Sequence, residues 1–335
     1  MVVKQNFRIV GSGSYLPQAC ISAEQMDERL GLPDGWCQSH VGVKQRYECR
    51  LPETLVTMAG RAIADALVDA GVSWSDIDAI IDCSTSQYRP IPCNAAHHQQ
   101  HVGAEAAGIA CFDVHSTCLG VPVALNLING LFLTGAYRHV LLVASESGLG
   151  GVNAAEPESA ALIGDGAAAL VVRCEPVWGS LVYAHETYAE HLELCRVEGG
   201  GHKLPVFEYS PQRRGEYQFA MDGPNVFRVA LRKLKPMVAR VLDELRDAQP
   251  SLDQASLHYV PHQASPKALE VVRGWLGVAP GRFHIAVDEV GNMVAASIPF
   301  MIDRLRKRSL IQSGDTLMLL GTSAGYSQAA LVFQL

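Results

Sequence analysis

Phe112-Asp113-Val114-His115-Ser116-Thr117-Cys118-Leu119-Gly120 is an apolar strand that turns into a helix, and the turn carries a cysteine. The helix predicted from Cys118 runs through Val121, Leu125, Ile128 and Leu131 to Gly135, apolar residues at helical spacing closed by a glycine. The alternation continues outward. Upstream, residues 55–71 read as a helix, 78–83 as a buried strand, roughly 94–102 as a helix and 108–112 as a strand. Downstream, 139–144 and 168–172 read as strands. Strands alternating with helices indicate an α/β protein.

The second half of the chain has the same order. Asn225 to Leu245 is a long amphipathic helix with Val226, Val229, Leu231, Leu234 and Val238 on its apolar side and Pro236 as a potential kink. Residues 257–261 read as a strand, 266–276 as a helix and 283–286 as strand-like; a helix is predicted from Asn292 through Ile298, Met301 and Leu305. Residues 316–320 and 329–333 close the chain as strands. Repetition over half a chain predicts a duplicated fold of two α/β units facing each other. The halves are divided at 1–175, with Cys118, and 176–335, with His262 and Asn292. His262 follows its strand as Cys83-Ser84 follow theirs, and Asn292 opens its helix as Cys118 does. Approximate symmetry therefore brings Cys118, His262 and Asn292 together. With no Pro/Gly/Ser-rich linker between them, the halves form one body. The irregular, polar stretch 186–218 reads as a loop bordering a cleft.

The chain has 335 residues, 48% hydrophobic and 18% charged, enough for a large core. A net charge of -7 argues against nucleic acid as the main partner. Nine cysteines without a regular framework read as reduced thiols, the usage of a cytoplasmic protein. No leader is expected before the strand-like Phe7-Arg8-Ile9-Val10. Apolar runs are interrupted before about 18 residues, so no membrane span is expected.

A thiol at a helix start faces free N–H groups and the positive end of the dipole, which favours thiolate. Alone, Cys118 also reads as a small packed hydrophobe. With an imidazole and a carboxamide beside it, two chemistries are open. In a hydrolase, His is the base that Asn orients, and water is the final acceptor. In carbon–carbon bond formation, Cys carries an acyl group while His and Asn donate hydrogen bonds to an enolate oxygen.

The sequences around these residues distinguish the two. Val260-Pro261-His262-Gln263-Ala264-Ser265, Val290-Gly291-Asn292-Met293-Val294-Ala295-Ala296-Ser297-Ile298-Pro299 and Gly321-Thr322-Ser323-Ala324-Gly325 resemble the ketoacyl synthase III family of the thiolase superfamily. So do Gly11-Ser12-Gly13-Ser14-Tyr15-Leu16-Pro17, Gly164-Asp165-Gly166-Ala167-Ala168 and Met221-Asp222-Gly223, in the family's order from about residue 8 to the C-terminus. The resemblance implies a thiolase-like fold with layers in the order αβαβα and a homodimer. It implies an acyl group loaded on Cys118 from acyl-CoA or acyl-carrier protein, with the N–H groups of Cys118 and Ala324 as oxyanion hole. Decarboxylation of a malonyl thioester follows, its enolate held by His262 and Asn292, giving a 3-oxoacyl thioester. CoA and phosphopantetheine thioesters are then substrates, with no separate cofactor and no metal.

Departures from the family pattern shape further expectations. Trp36 matches the aromatic that stacks on adenine, but its Arg partner is replaced by His40 and a neighbouring Thr by Val41; a second clamp Arg falls near Pro157. Weakened CoA binding and preference for a carrier-bound donor are expected, since a guanidinium is not replaced conservatively. Ile91, in place of a larger aromatic that crosses the dimer interface in some relatives, is assigned to the acyl pocket. His115 reads as a structural imidazole. Lys267, Arg228 and Arg273 are placed at the entrance, facing an acidic carrier or CoA phosphates. His97 and His101, at i and i+4, form a weak metal-site pattern lacking further ligands, and Cys111 reads as a buried strand residue. Glu146 and Glu158 are candidate bases for non-decarboxylative acyl transfer or acyl–acyl condensation on the same fold, and a non-catalytic heterodimer subunit is the remaining alternative.

Overall fold

A computed structural model describes residues 2–335, without the side chain of Val177. Eight strands form the main sheet: β1 (Val2–Tyr15), β2 (Ala79–Asp82), β3 (Ala110–Asp113), β4 (His139–Glu146), β5 (Gly166–Thr187), β6 (His258–Pro261), β7 (Thr316–Ser323) and β8 (Ser327–Gln334). Their order is β6-β7-β8-β5-β4-β2-β3, with β1 along β5. The major helices are α1 (Leu55–Ala70), α2 (Asn94–Val102), α3 (Gly120–Leu133), α4 (Gly223–Ala248), α5 (Pro266–Leu276) and α6 (Ser297–Lys307).

Strand β5 joins the two halves. Its residues 166–173 pair antiparallel with β4, and its residues 182–187 pair antiparallel with β8. Strand β1 follows it through both parts, Phe7–Tyr15 beside 167–174 and Val2–Gln5 beside 179–182. In each half a parallel pair then extends outward, β4 with β2 and β7 with β6. The boundary expected at 175/176 falls within β5.

Side-chain alternation along the strands sorts the core into layers. Leu141 and Val143 of β4 face α1, through Met58, Ala62, Ile63 and Ala66. Val140, Leu142 and Ala144 face the opposite way, into a cluster with Val121, Leu125 and Ile128 of α3 and Ile298, Met301 and Ile302 of α6. Leu317, Leu319, Leu331 and Phe333 of β7 and β8 close that cluster from the other side. The alternate residues Met318, Leu320, Ala330 and Val332 pack under α4, on Leu234, Met237, Val238 and Val241. The two halves of the sheet therefore face each other across α3 and α6 as two sheet layers, and the layers run helix, sheet, helix pair, sheet, helix, the αβαβα order expected.

Several boundaries correct the sequence reading. Helix α3 starts at Gly120, after a 3-10 turn at Thr117–Leu119; α6 starts at Ser297, after a 3-10 turn at Val294–Ala296. Residues 283–286 contribute only a bridge from Phe283 to Tyr259. Pro236 lies within a helix continuous over Gly223–Ala248. The register of the repeat also shifts. Thr117 and Val294 both adopt left-handed backbone, φ 44° and 45°, and each opens the turn before its helix. Ala295, not Asn292, therefore occupies the position of Cys118, and Asn292 that of His115. A hydrophobic pattern fixes which face is buried but not which turn residue is left-handed, so this offset of three was not readable.

Candidate functional site

The strained Thr117 sets Cys118 at the end of the middle layer. A non-glycine residue in left-handed backbone costs on the order of 1 kcal/mol and persists where its surroundings hold it. Gly120 is required next: a Cβ there would lie 2.4 Å from the Cys83 carbonyl oxygen, so the helix start rests directly on the end of β2. The Cys118 sulfur accepts from the backbone N–H groups of Cys118 itself and Ala324. Burial nevertheless dominates and raises the thiol above its ordinary range, with Cys195 and Glu146 adding to the rise. This reverses the expectation of a resting thiolate: desolvation of the sulfur outweighs the N–H groups around it.

His262 follows β6 and is buried, its N–H donating to the Leu320 carbonyl at 2.8 Å. A Cβ at Gly321 would lie 2.6 Å from the His262 Cβ, so β7 passes the imidazole without a side chain between them. Gln263 staples this turn: its Nε2 donates to the carbonyls of Pro261 (2.9 Å) and His284 (3.0 Å), and its Oε1 accepts from Ala286 and Val287. The His262 Nδ1 is sealed from solvent without a partner among the described residues, which leaves Nε2 as the nitrogen available to a ligand. Burial lowers the imidazole to about 4, so it is neutral at physiological pH.

Asn292 is fixed through its backbone to the first half, donating to the Leu162 carbonyl (2.8 Å) and accepting from Gly164 N–H (3.1 Å). Its Oδ1 accepts from Val294 N–H at 2.9 Å, so the carboxamide is oriented and its Nδ2 donors remain for a ligand.

Cys118, His262, Asn292 and Ala324 line one cavity of about 800 Å³. Ala324 is not among the left-handed positions, so its methyl group is tolerated where its N–H reaches the Cys118 sulfur. Most of the wall is apolar, including Leu194, Phe219, Met221, Phe227, Leu234 and Trp275. The stretch 186–218 does border the cavity, through Leu194–Val197 and Tyr217.

At the entrance, His40 and Lys267 line the cavity, and Lys267 Nζ donates to the carbonyls of Ser39 (2.9 Å) and His40 (2.7 Å). Trp36 does not line it; its ring stacks on His40, with centroids 4.6 Å apart. Arg228 is exposed on α4, bonded to Asn225 and outside the wall, because the inward face of that helix belongs to Val226, Phe227 and Ala230. Arg273 is also outside, paired with Glu270 on α5. Ile91 is 84% exposed and does not reach this chain's cavity, since the Pro90-Ile91-Pro92 loop projects into solvent. His115 is exposed, Cys111 is half-buried on β3, and Pro157 opens a short helix, Pro157–Ala160.

Glu158 is exposed at the cavity edge, whereas Glu146 is fully buried in its wall. Glu146 accepts from the N–H groups of Thr85 (2.7 Å) and Ser86 (2.9 Å), and from Ala295 across the repeat (3.4 Å). Burial raises it to about 7. Asp165 holds Cys49 N–H and Leu149 N–H, each at 2.9 Å, which gives the Gly164-Asp165-Gly166 motif a structural reason. His97 is buried against Tyr88, His101 is exposed, and the neighbouring His98 bonds Asp82 at 2.9 Å. Among the described residues no group of three His, Cys, Asp or Glu side chains is arranged to hold a metal. No helix among them is long and apolar enough to cross a membrane.

Comparison with known proteins identifies the family and the fold. Residues 112–186 match the family model for 3-oxoacyl-[acyl-carrier-protein] synthase III, and 248–335 match its C-terminal model. An acetoacetyl CoA synthase of Streptomyces is 32% identical over 95% of both chains. A beta-ketoacyl-[acyl-carrier-protein] synthase III of Thioalkalivibrio sulfidiphilus is 30% identical over 96% of both. The chain belongs to the ketoacyl synthase III family. Among solved structures, the synthase III of Pseudomonas aeruginosa superposes with a TM-score of 0.84, at 27% identity over 98% of each chain. A priming beta-ketosynthase of a polyketide pathway superposes with a TM-score of 0.86, at 26% identity over 99% of this chain and 97% of its own. This member of the family is thus an acyltransferase-type condensing enzyme with a thiolase-like fold.

In this synthase the neutral His262 has a stability signature. Between pH 6.5 and about 4 the unfolded imidazole takes up a proton that the folded one refuses, so stability is complete above pH 6.5 and falls as the pH drops toward 4. His284, also lowered to about 4, acts in the same sense, while Glu146 and Asp165, both raised, act oppositely. Urea unfolding of wild type and His262→Gln from pH 7 to 4.5 isolates the contribution of His262. A shallower loss of stability in the variant is expected; parallel curves contradict a buried neutral imidazole.

Proposed function

We propose that this synthase runs a two-step condensation on Cys118, carried by one observation: its sulfur, two N–H donors, a neutral imidazole and an oriented carboxamide converge on one apolar cavity. In the first step the Cys118 sulfur attacks the carbonyl carbon of an acyl thioester. The oxyanion faces the N–H groups of Cys118 and Ala324, the donor's carbon–sulfur bond breaks, and the thiol proton leaves with the departing carrier thiol. In the second step a malonyl thioester loses carbon dioxide, and the electron pair passes into an enolate. Nε2–H of His262 and Nδ2–H of Asn292 donate to its oxygen. The enolate carbon attacks the acyl carbon, the bond to Cys118 breaks, and a 3-oxoacyl thioester leaves. The released sulfur takes a proton from solvent, in keeping with its raised affinity for one.

The competing role for Glu146, as base in a non-decarboxylative reaction, is disfavoured because both its oxygens are engaged by backbone N–H groups. Alanine at His262 or Asn292 is expected to leave acyl-Cys118 formation measurable by intact mass. Each should slow carbon dioxide release from malonyl thioester by about 10²–10³-fold. Loss of loading with unchanged decarboxylation would refute the division of labour.

For the donor, the absence of both entrance guanidiniums and the stacking of Trp36 on His40 support loading from a carrier protein over CoA. Single-turnover loading is expected to be faster from acyl-carrier protein than from acyl-CoA; the reverse order contradicts this. The exposed Ile91 and the open edge strand β3 support a homodimer, with twice the chain mass expected by light scattering and the monomer mass contradicting it.

A further inference from the structure

A second cavity, of about 470 Å³, lies away from the catalytic residues and shares no lining residue with their cavity. Arg8, Arg173, Arg306 and Lys307 line it, with Asp69 as its acidic side chain. Two of these cations sit where a fold alone would not place them. Arg8 of β1 and Arg173 of β5 are direct cross-strand partners. Like charges facing each other across an antiparallel pair are destabilising.

Among the described residues, four carboxylates serve three of the four cations and leave Arg8 without one. Arg306 pairs with Asp69 (2.9 Å), Arg173 with Glu175 (3.0 Å), and Lys307 with Asp303 (3.0 Å) and Asp65 (3.6 Å). Arg8 has no carboxylate within ion-pair distance among the described residues. Its Nη2 donates to Ser313 Oγ at 2.8 Å, and its guanidinium lies 4.1 Å over the ring of Trp178. The Nε atoms of Arg8 and Arg306 are both buried without a hydrogen-bond partner among the described residues. A buried donor without an acceptor is costly, so both guanidiniums stand under-bonded beside the cavity.

We propose that this cavity binds a small phosphorylated anion carrying two or more phosphoryl groups, separate from the acyl site. Planar guanidiniums suit phosphoryl oxygens, which accept paired N–H bonds. The Arg8–Arg173 repulsion becomes attraction to a shared anion, and the cavity is several times larger than one phosphoryl group. Arg306 and Lys307 end the helix α6, whose first turn follows Asn292 and Val294, so the site sits at the far end of an element that the catalytic loop begins.

Inorganic pyrophosphate is the probe, titrated calorimetrically into the full-length wild type, Arg8→Gln, Arg173→Gln and Lys267→Gln. Saturable binding is expected, weakened at least about tenfold in Arg8→Gln and Arg173→Gln and unchanged in Lys267→Gln. Each variant removes the Arg8–Arg173 repulsion but also a favourable contact, to Ser313 and Trp178 or to Glu175, so pyrophosphate binding and not the melting temperature is the readout. Absence of saturable binding by the wild type would overturn the proposal. So would binding insensitive to Arg8 and Arg173, or binding lost in Lys267→Gln, which would place the anion at the catalytic entrance.

Discussion

Two helices confined between two sheets set the geometry of this protein. Helices α3 and α6 bury Val121, Leu125 and Ile128, and Ile298, Met301 and Ile302, in one layer with both sheets pressed on it. Burial of apolar area at roughly 25 cal/mol per Å² makes that layer the main stabilising element, and close packing leaves little freedom to slide. Their first turns, Thr117–Leu119 and Val294–Ala296, consequently pack against each other at one end of the layer. Glu146 spans the same junction, with backbone of both halves donating to its carboxylate. Cys118 stands in the first of these turns, and Asn292 two residues before the second.

The same burial sets the protonation states. Removing water raises Cys118 and Glu146 and lowers His262, each toward its neutral form. A neutral imidazole and a protonated thiol suit a reaction whose charge appears only in transit, first on a tetrahedral oxygen and then on an enolate. Donors already oriented by Val294 N–H and by the Gln263 staple need not reorganise when that charge develops. A site built to hold a permanent thiolate would have placed a cation beside Cys118; the groups acting on it are instead Cys195, Glu146 and two N–H donors.

Much of this was legible in the sequence, because the period-2 and helical patterns of the buried layers repeat from one half to the other. Helices α2 and α5 have the predicted limits, and Cys118, His262 and Asn292 line one cavity. Three kinds of feature were not legible. Backbone handedness at Thr117 and Val294 leaves no apolar signature, so the repeat was read three residues out of register. Desolvation of Cys118 depends on what closes the cavity, much of it distant in sequence, including Leu194 and Trp275. Facing of side chains on a surface helix such as α4 decides that Phe227 lines the wall and Arg228 does not, and one residue of rotation suffices for that. Cys195 and Gln263 carried only a faint signal, the first as one cysteine of nine and the second as a polar residue beside His262.

The central claim is that Cys118 holds an acyl group whose oxygen faces two backbone donors within the shared cavity. A crystal structure of the protein after reaction with an acyl thioester tests it directly. The acyl carbon is expected on Cys118 Sγ, its oxygen within hydrogen-bond distance of the N–H groups of Cys118 and Ala324. An acyl group on Cys195, or an oxygen turned away from both donors, would contradict the account.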